Sequence, residues 1–427
     1  MFLELPGYGG RFAGALQSLE NVLSFKNFDE PTIAPPQSSE FKLRDHCLVC
    51  LSHLRWDLVF QRPQHLMTRF AQSIPVFFIE EPAFEGRQPP HLKRYTTSDN
   101  LSVCVPHLPE DLPAAAAAAA QRRLVTDLLR DTRICSPVLW YYTPMALQFT
   151  DAIPAAVTVY DCMDELSAFQ DAPPELRRLE ADLLRRADLV FTGGMSLYEA
   201  KRAQHPNVHA FPSAVDTEHF GKARAVLPDP ADQAGIPWPR LGFFGVIDER
   251  LDRELIASLA RLRPDWQLIL VGPVVKIDPA GLPRADNIHY LGRKPYEDLP
   301  TYMANWNAAM MPFARNAATR FISPTKTPEY LAGGKPVVST PVIDVVRRWG
   351  HLEAVRIAET PAEFAAQAGA ALALAAGPPS WRDAVDRELA ELSWDRTWAQ
   401  MVRLIEEAAT PRNASTVSAG QEALPAF

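Results

Sequence analysis

A chain of 427 residues, 47% hydrophobic and 22% charged, is long enough to bury two cores. Its net charge of -8 argues against nucleic acid as a partner, because binding a phosphate backbone needs a basic surface. Five thinly spread cysteines argue against a disulfide framework, and no run reaches the roughly 18 consecutive apolar residues of a membrane span. The first residues, Met1 to Glu20, also lack the basic start and apolar run of a signal peptide, so a cytoplasmic location is expected.

Residues 1–40 hold Gly7, Gly9, Gly10 and the proline-rich stretch from Glu30 to Glu40 without a sustained period, which predicts an N-terminal extension, disordered in part. From His46 short apolar runs alternate with helical stretches. Strands are expected over 47–51, 76–79, 101–105, 138–142, 156–160, 189–191 and 208–211, with helices over 62–72, 114–130 and 174–186. That alternation predicts a doubly wound parallel sheet for a first domain over 41–225. The run of alanines after Pro113 reads as a helix with proline at its first turn. A proline-rich link from Leu227 to Pro239 leads to a second series, with strands over 241–245, 267–271, 288–291, 308–311, 336–339 and 355–357, hence a second α/β domain over 238–380. The tryptophan-rich stretch from Ser393 reads as an amphipathic helix within 381–408, and 409–427 as a polar tail. Two facing Rossmann-like domains leave a cleft at the carboxyl ends of both sheets.

The densest chemical signal is Ser323-Pro-Thr-Lys-Thr-Pro-Glu-Tyr-Leu-Ala-Gly-Gly-Lys-Pro-Val-Val-Ser-Thr340. Proline is tolerated only in a helix's first turn, so Pro324 and Pro328 force a helix to begin between Ser323 and Thr327. The free N–H groups of such a start attract anions, and Lys326 adds a full positive charge, so a diphosphate suits the place. Glu329 stands about one turn on, where a carboxylate can accept hydrogen bonds from a ribose diol. Gly333 and Gly334 then stop the helix before a buried strand. An ordinary capped helix is the bland alternative.

Elsewhere, Gly245 follows the second domain's first strand, where a glycine lets backbone approach a diphosphate closely. Asp161, Asp164 and Glu165 leave the end of an apolar strand together; they serve a site, cap a helix or hold a metal. Arg62 lies in a polar segment after the first strand, at the mouth of the cleft, and there meets donor phosphate or acceptor unless that segment is a turn capped by His53 and Asp57. Cys47 and Cys50 have redox or zinc spacing, yet no second Cys/His pair accompanies them. Arg122-Arg123, Arg177-Arg178 and Arg185-Arg186 fall on helices; solvated faces are the plainer reading, and peripheral contact with anionic lipid at the inner face of the membrane is the other.

The sequence Pro-Thr-Lys-x-x-Glu-Tyr-Leu-Ala-x-Gly-Lys-Pro-Val-Val from Pro324 to Val338 resembles the donor motif of GT-B glycosyltransferases of the family-4 group. The first-domain segment from Ser52 to His65 resembles the polysaccharide and teichuronic-acid subgroup. The resemblance, over roughly 45–408, implies a GT-B fold whose last helix crosses back to the first domain. It implies that Ser323, Pro324, Thr325 and Lys326 hold the diphosphate, with Lys326 neutralising the leaving group, and that Glu329 holds the ribose. Arg250 or Lys276 would supply a second phosphate-binding cation, and Leu291 and Gly292 would lie beside the nucleobase. Tyr160 and Asp161 occupy the place of a sugar-contacting His-Asp pair, so Tyr160, Asp161, Asp164 and Arg62 become candidates for sugar or acceptor, and Asp161 and Asp164 for catalysis. Phe321 stands where many retaining members carry a glutamate, and Asn316, Thr319 or Arg320 would take over its contacts.

The expected activity is transfer of a sugar from a nucleoside diphosphate donor to a glycan or lipid-linked hydroxyl acceptor, with no cofactor and no metal, since helix dipole and cations stabilise the leaving group. A nucleotide-sugar epimerase or mutase on the same fold, or a non-catalytic sugar-nucleotide-binding protein, are the competing readings.

Overall fold

Leu48-Val-Cys-Leu51 and Val76-Phe-Phe-Ile79 are buried at every position, as parallel strands covered by helices on both faces must be. The structure, a computed structural model, describes residues 46–134 and 136–409. The extension expected over 1–40, the tail expected over 409–427 beyond its first residue, and Cys135 lie outside the described residues.

The first sheet contains β1 (Leu48–Leu51), β2 (Val76–Ile79), β3 (Ala83–Phe84), β4 (His91–Ser98), β5 (Leu101–Leu108), β6 (Val138–Tyr141), β7 (Val157–Cys162), β8 (Leu189–Thr192) and β9 (Val208–Ala210). Its order is β3-β5-β2-β1-β6-β7-β8-β9, and β4 pairs antiparallel with β5. Helices α1 (Arg62–Phe70), α2 (Ala114–Asp131), α3 (Leu147–Thr150), α4 (Leu176–Arg186), α5 (Met195–Lys201) and α6 (Thr217–Gly221) run between and after the strands. The register centres on β1, with Leu48 opposite Val76 on one side and Val138 on the other.

The second sheet is parallel throughout: β10 (Arg240–Phe244), β11 (Gln267–Val271), β12 (Ile288–Gly292), β13 (Ala308–Met311), β14 (Val337–Ser339) and β15 (Val355–Ile357), in the order β12-β11-β10-β13-β14-β15. Around it lie α7 (Arg253–Leu262), α8 (Leu299–Ala304), α9 (Lys326–Ala332), α10 (Ile343–Trp349), α11 (Pro361–Ala376) and α12 (Trp381–Ala390). This is the doubly wound Rossmann order, and it reverses between β10 and β13, where such sheets open a crevice for ligands. The first sheet reverses likewise between β1 and β6.

Helix α13 (Trp394–Ala409) returns to the first domain and packs on α1, β7 and β8, giving the GT-B arrangement. Trp394 stacks on His65 with ring centroids 4.6 Å apart, and Arg69 pairs with Asp395 at 2.7 Å. The two domains also meet where Ser196 N–H, at the start of α5, donates to Asp344 of α10 at 3.1 Å. Beside it, a Cβ on Gly194 would collide with both Asp344 and Ser323, so glycine is required for the close approach.

Of the expected basic faces, Arg122 is engaged by Asp151, and Arg178 and Arg185 by Asp182. No helix among the described residues is long and apolar enough to cross a membrane. Cys50 lies inside β1 and Cys47 just before it, both buried, and burial pushes the Cys47 thiol up to about 12.

Candidate active site

Helix α9 begins at Lys326 with Thr325 at its cap, as the two prolines require. Lys326 Nζ reaches back to Thr325 Oγ1 at 2.8 Å and along the helix to Glu329 Oε2 at 3.0 Å, and it stands 5.1 Å from the Phe244 ring. Gly245, leaving β10 with φ +150°, brings its backbone against this lysine: a Cβ there would lie 3.3 Å from Lys326 Cε. The helix start, the lysine and the glycine therefore converge at the reversal point of the second sheet.

Two cavities meet at Lys326. One, of about 530 Å³, is lined by Trp56 and Phe60 of the first domain and by Gly272, Arg293, Tyr296 and Glu329 of the second. The other, of about 120 Å³, is lined by Arg62 and Asp164 from the first domain and by Arg250, Ser323, Pro324 and Thr325 from the second. Gly245 and Lys326 line both. The larger space holds a carboxylate on an aromatic-walled floor; the smaller is ringed by cations and by the start of α9. The first suits a nucleoside, the second anionic oxygen atoms.

Arg62 is almost fully buried, and its guanidinium grips Asp161 through Nε at 3.0 Å and Nη2 at 2.8 Å while Nη1 donates to the Phe211 carbonyl at 2.7 Å. Burial pushes the Asp161 carboxyl up and the guanidinium pulls it back. Asp161 is 0% exposed in this structure and orients Arg62, so the catalytic or sugar-binding role expected of it would act through that guanidinium. Tyr160, expected beside it at the sugar, turns the other way. Successive strand residues point to opposite faces, and the Tyr160 hydroxyl donates to Glu180 of α4 at 2.8 Å, inside the helix layer. Lys201 closes that network by pairing with Glu180 and Glu165, which takes Glu165 out of the cleft chemistry too.

Asp164 does reach the cleft. Burial pushes its carboxyl up to about 6 against the pull of Arg250. Arg250 itself is held by Asp248 at 2.7 Å and stands 5.5 Å from the ring of Phe169, a first-domain residue. Lys276, with φ +62°, lines neither cavity; its Nζ lies 5.6 Å from the same ring. Leu291 and Gly292 end β12 next to Arg293, and the Gly292 carbonyl accepts from Gly272 N–H at 2.8 Å, one layer behind the larger cavity.

The loop after β13 departs from expectation. Asn316 and Thr319 satisfy each other, with Asn316 N–H donating to Thr319 Oγ1 at 3.1 Å and Thr319 N–H to Asn316 Oδ1 at 3.0 Å, and neither lines the two cavities at Lys326. Phe321 packs against the apolar core of the first domain, with Arg320 above its ring at 5.1 Å.

Two cleft residues escaped the sequence reading. His53, read there only as a turn cap, has a buried Nδ1 with no hydrogen-bond partner, and burial pushes its pKa down to about 4, so the ring is neutral. Tyr296 lines the larger cavity with a buried, unpartnered hydroxyl and stacks on His219 at 4.1 Å. The signal for each is position: both lie just past a strand's carboxyl end. Among the described residues no group of three or more His, Cys, Asp or Glu side chains is placed to hold a metal ion.

Residues 239–373, the span that carries α9, Gly245 and Arg250, match the family model for glycosyl transferases group 1. The second domain is thus similar to the group 1 glycosyl transferases. A relative of this chain is TuaH of Bacillus subtilis (strain 168), named for teichuronic acid biosynthesis; it is 28% identical over 218 residues, which are 47% of this chain and 55% of TuaH. The aligned part thus spans about half of that relative. Among solved structures, the sucrose-phosphate synthase of Thermosynechococcus elongatus superposes with TM-score 0.61 at 14% identity, covering 85% of this chain and 98% of that one. The E. coli trehalose-6-phosphate protein bound with UDP-2-fluoro glucose gives 0.60 at 11%, covering 85% and 99%. A glycosyltransferase from Rickettsia africae ESF-5 gives 0.59 at 10%, covering 86% and 99%. At these identities the likeness establishes the fold alone, and that fold is GT-B.

Proposed function

We propose that the protein transfers a glycosyl group from a nucleoside diphosphate sugar to a hydroxyl acceptor held by the first domain. The observation that carries this reading is the convergence of Lys326, Gly245 and the start of α9 between a cavity containing Glu329 and a smaller one ringed by Arg62, Arg250 and Asp164. A nucleoside in the larger cavity, with its ribose on Glu329, places the diphosphate on the α9 N–H groups and Lys326. The sugar then falls in the smaller cavity beside Asp164. Charge developing on the leaving diphosphate is met by groups already in place, which needs no reorganisation during the reaction. The kinship with TuaH favours a polysaccharide pathway, with a glycan or a lipid-linked glycan as acceptor.

The test is a panel of UDP-, GDP- and ADP-sugars incubated with the full chain, with and without glycan acceptors, and product analysis by mass spectrometry. Transfer that needs an acceptor supports the reading. Conversion of donor alone to an isomeric nucleotide sugar would assign an epimerase or mutase instead, and tight binding without turnover a binding protein.

A further inference from the structure

A third cavity, of about 490 Å³, lies wholly in the first domain at the carboxyl ends of β1 and β6, where that sheet's order reverses. Its volume falls within the roughly 300–1,000 Å³ of small-molecule sites. The floor is apolar, made by Leu51, Ile79, Ala146 and Phe149. Apolar groups also stand at the lip, beside the glutamates. Ala114 and Ala118 of α2 present a wall without side-chain bulk, and Phe84, 49% exposed, faces solvent at the rim.

The charge in this cavity is of one sign: Glu80, Glu81 and Glu175 line it, and among the described residues no lysine or arginine does. The guanidinium of Arg55 is already committed to Glu80 at 2.9 Å and to the carbonyls of Glu81 and Pro82 at 2.6 and 3.3 Å, and that of Arg122 to Asp151 and to the Gln148 carbonyl at 2.8 Å. A phosphate or uronate entering here would meet the carboxylates with only neutral donors, the hydroxyls of Ser52 and Thr143 and the amides of Gln121 and Gln148, to set against them. Carboxylates, by contrast, accept hydrogen bonds from sugar hydroxyls, and the alanine wall matches the C–H face of a pyranose or an alkyl chain.

We propose that this cavity takes the acceptor as an uncharged glycoside with an apolar face or aglycone, and that it rejects phosphorylated sugars. The proposal rests on the glycosyltransferase reading and narrows its acceptor.

The experiment is saturation-transfer NMR on the full chain with hexyl β-D-glucopyranoside and glucose 6-phosphate as probes, while affinities for UDP, GDP and ADP are measured in parallel. The glucoside should bind, and glucose 6-phosphate at least about tenfold more weakly. Ala118→Glu should weaken the glucoside about tenfold and leave nucleotide affinity unchanged, and Glu81→Lys should raise glucose 6-phosphate binding. Equal or tighter binding of glucose 6-phosphate to the unaltered protein, glucoside binding indifferent to Ala118→Glu, or no glucoside binding in a protein that still takes nucleotide would each overturn the proposal. Loss of all nucleotide binding, with the glucoside still bound, would instead remove the donor reading.

Discussion

Lys326 and Glu329 hold each other in an ion pair of 3.0 Å across the first turn of α9, at the junction of the two cleft cavities. In the proposed function each serves a different part of one donor, the lysine the phosphate and the carboxylate the ribose. Donor binding therefore exchanges this internal pair for contacts to the ligand. Free-energy differences between variants will report that exchange and not isolated contacts.

Lys326→Ala should depress turnover by about 10²-fold and weaken nucleoside diphosphate binding, the size typical for losing a group that stabilises developing charge. Steady-state kinetics and calorimetry with the diphosphate check it, and unchanged values would remove Lys326 from the site.

Glu329→Gln keeps the shape but loses charge-assisted hydrogen bonds, so ribonucleotide affinity should fall by about 1.5–3 kcal/mol. A 2′,3′-dideoxy analogue should lose little. If the variant still discriminates against that analogue as strongly as the unaltered protein, another residue holds the ribose.

Asp161 and Asp164, close in sequence, should behave oppositely. Asp161→Ala leaves the Arg62 guanidinium buried and unpaired, and should destabilise the fold by about 3–5 kcal/mol in denaturant titration. Asp164→Asn should leave the fold intact and reduce turnover by roughly 10²–10⁴-fold if Asp164 moves a proton.

The Asp164 carboxyl is pushed from 3.8 up to about 6, so its ionisation opposes folding: its contribution to stability is whole below the lower value and lost as pH rises through about 6. An active carboxylate gives the converse in kinetics, kcat/KM rising with pH through about 6. The Asn variant should lack that limb, and a limb that persists in it belongs to another group.

Activity should survive EDTA if, as proposed, the leaving diphosphate is met by Lys326 and the start of α9. Activity lost to EDTA and restored by Mg²⁺ would reassign Asp164 to a metal.

Most of the parallel core could be read from short, uniformly apolar runs, and the start of α9 from the geometry of proline. Strand β4 could not, because its side chains are largely exposed and its register comes from pairing with β5. The site was legible where its chemistry is local. Lys326, Glu329 and Gly245 sit on elements whose starts and stops are written within a few residues. It was illegible where a role depends on distant partners: Asp161 looked like a cleft carboxylate until Arg62, 99 residues away, claimed it. Period-two alternation says that Tyr160 and Asp161 face opposite ways, yet not which of them meets Glu180.

Helix α13 leaves the ribosome after the strands of both sheets, and it covers α1, which is made long before it. Until Trp394 arrives, His65 and the face of α1 around Phe70 stand without their cover while both sheets are already made. The first domain is thus born unfinished, holding an open apolar seam through the synthesis of more than half the chain. Chaperone capture of the nascent protein, and misfolding of forms cut before Ser393, should follow from this order of assembly more than from any weakness in either sheet.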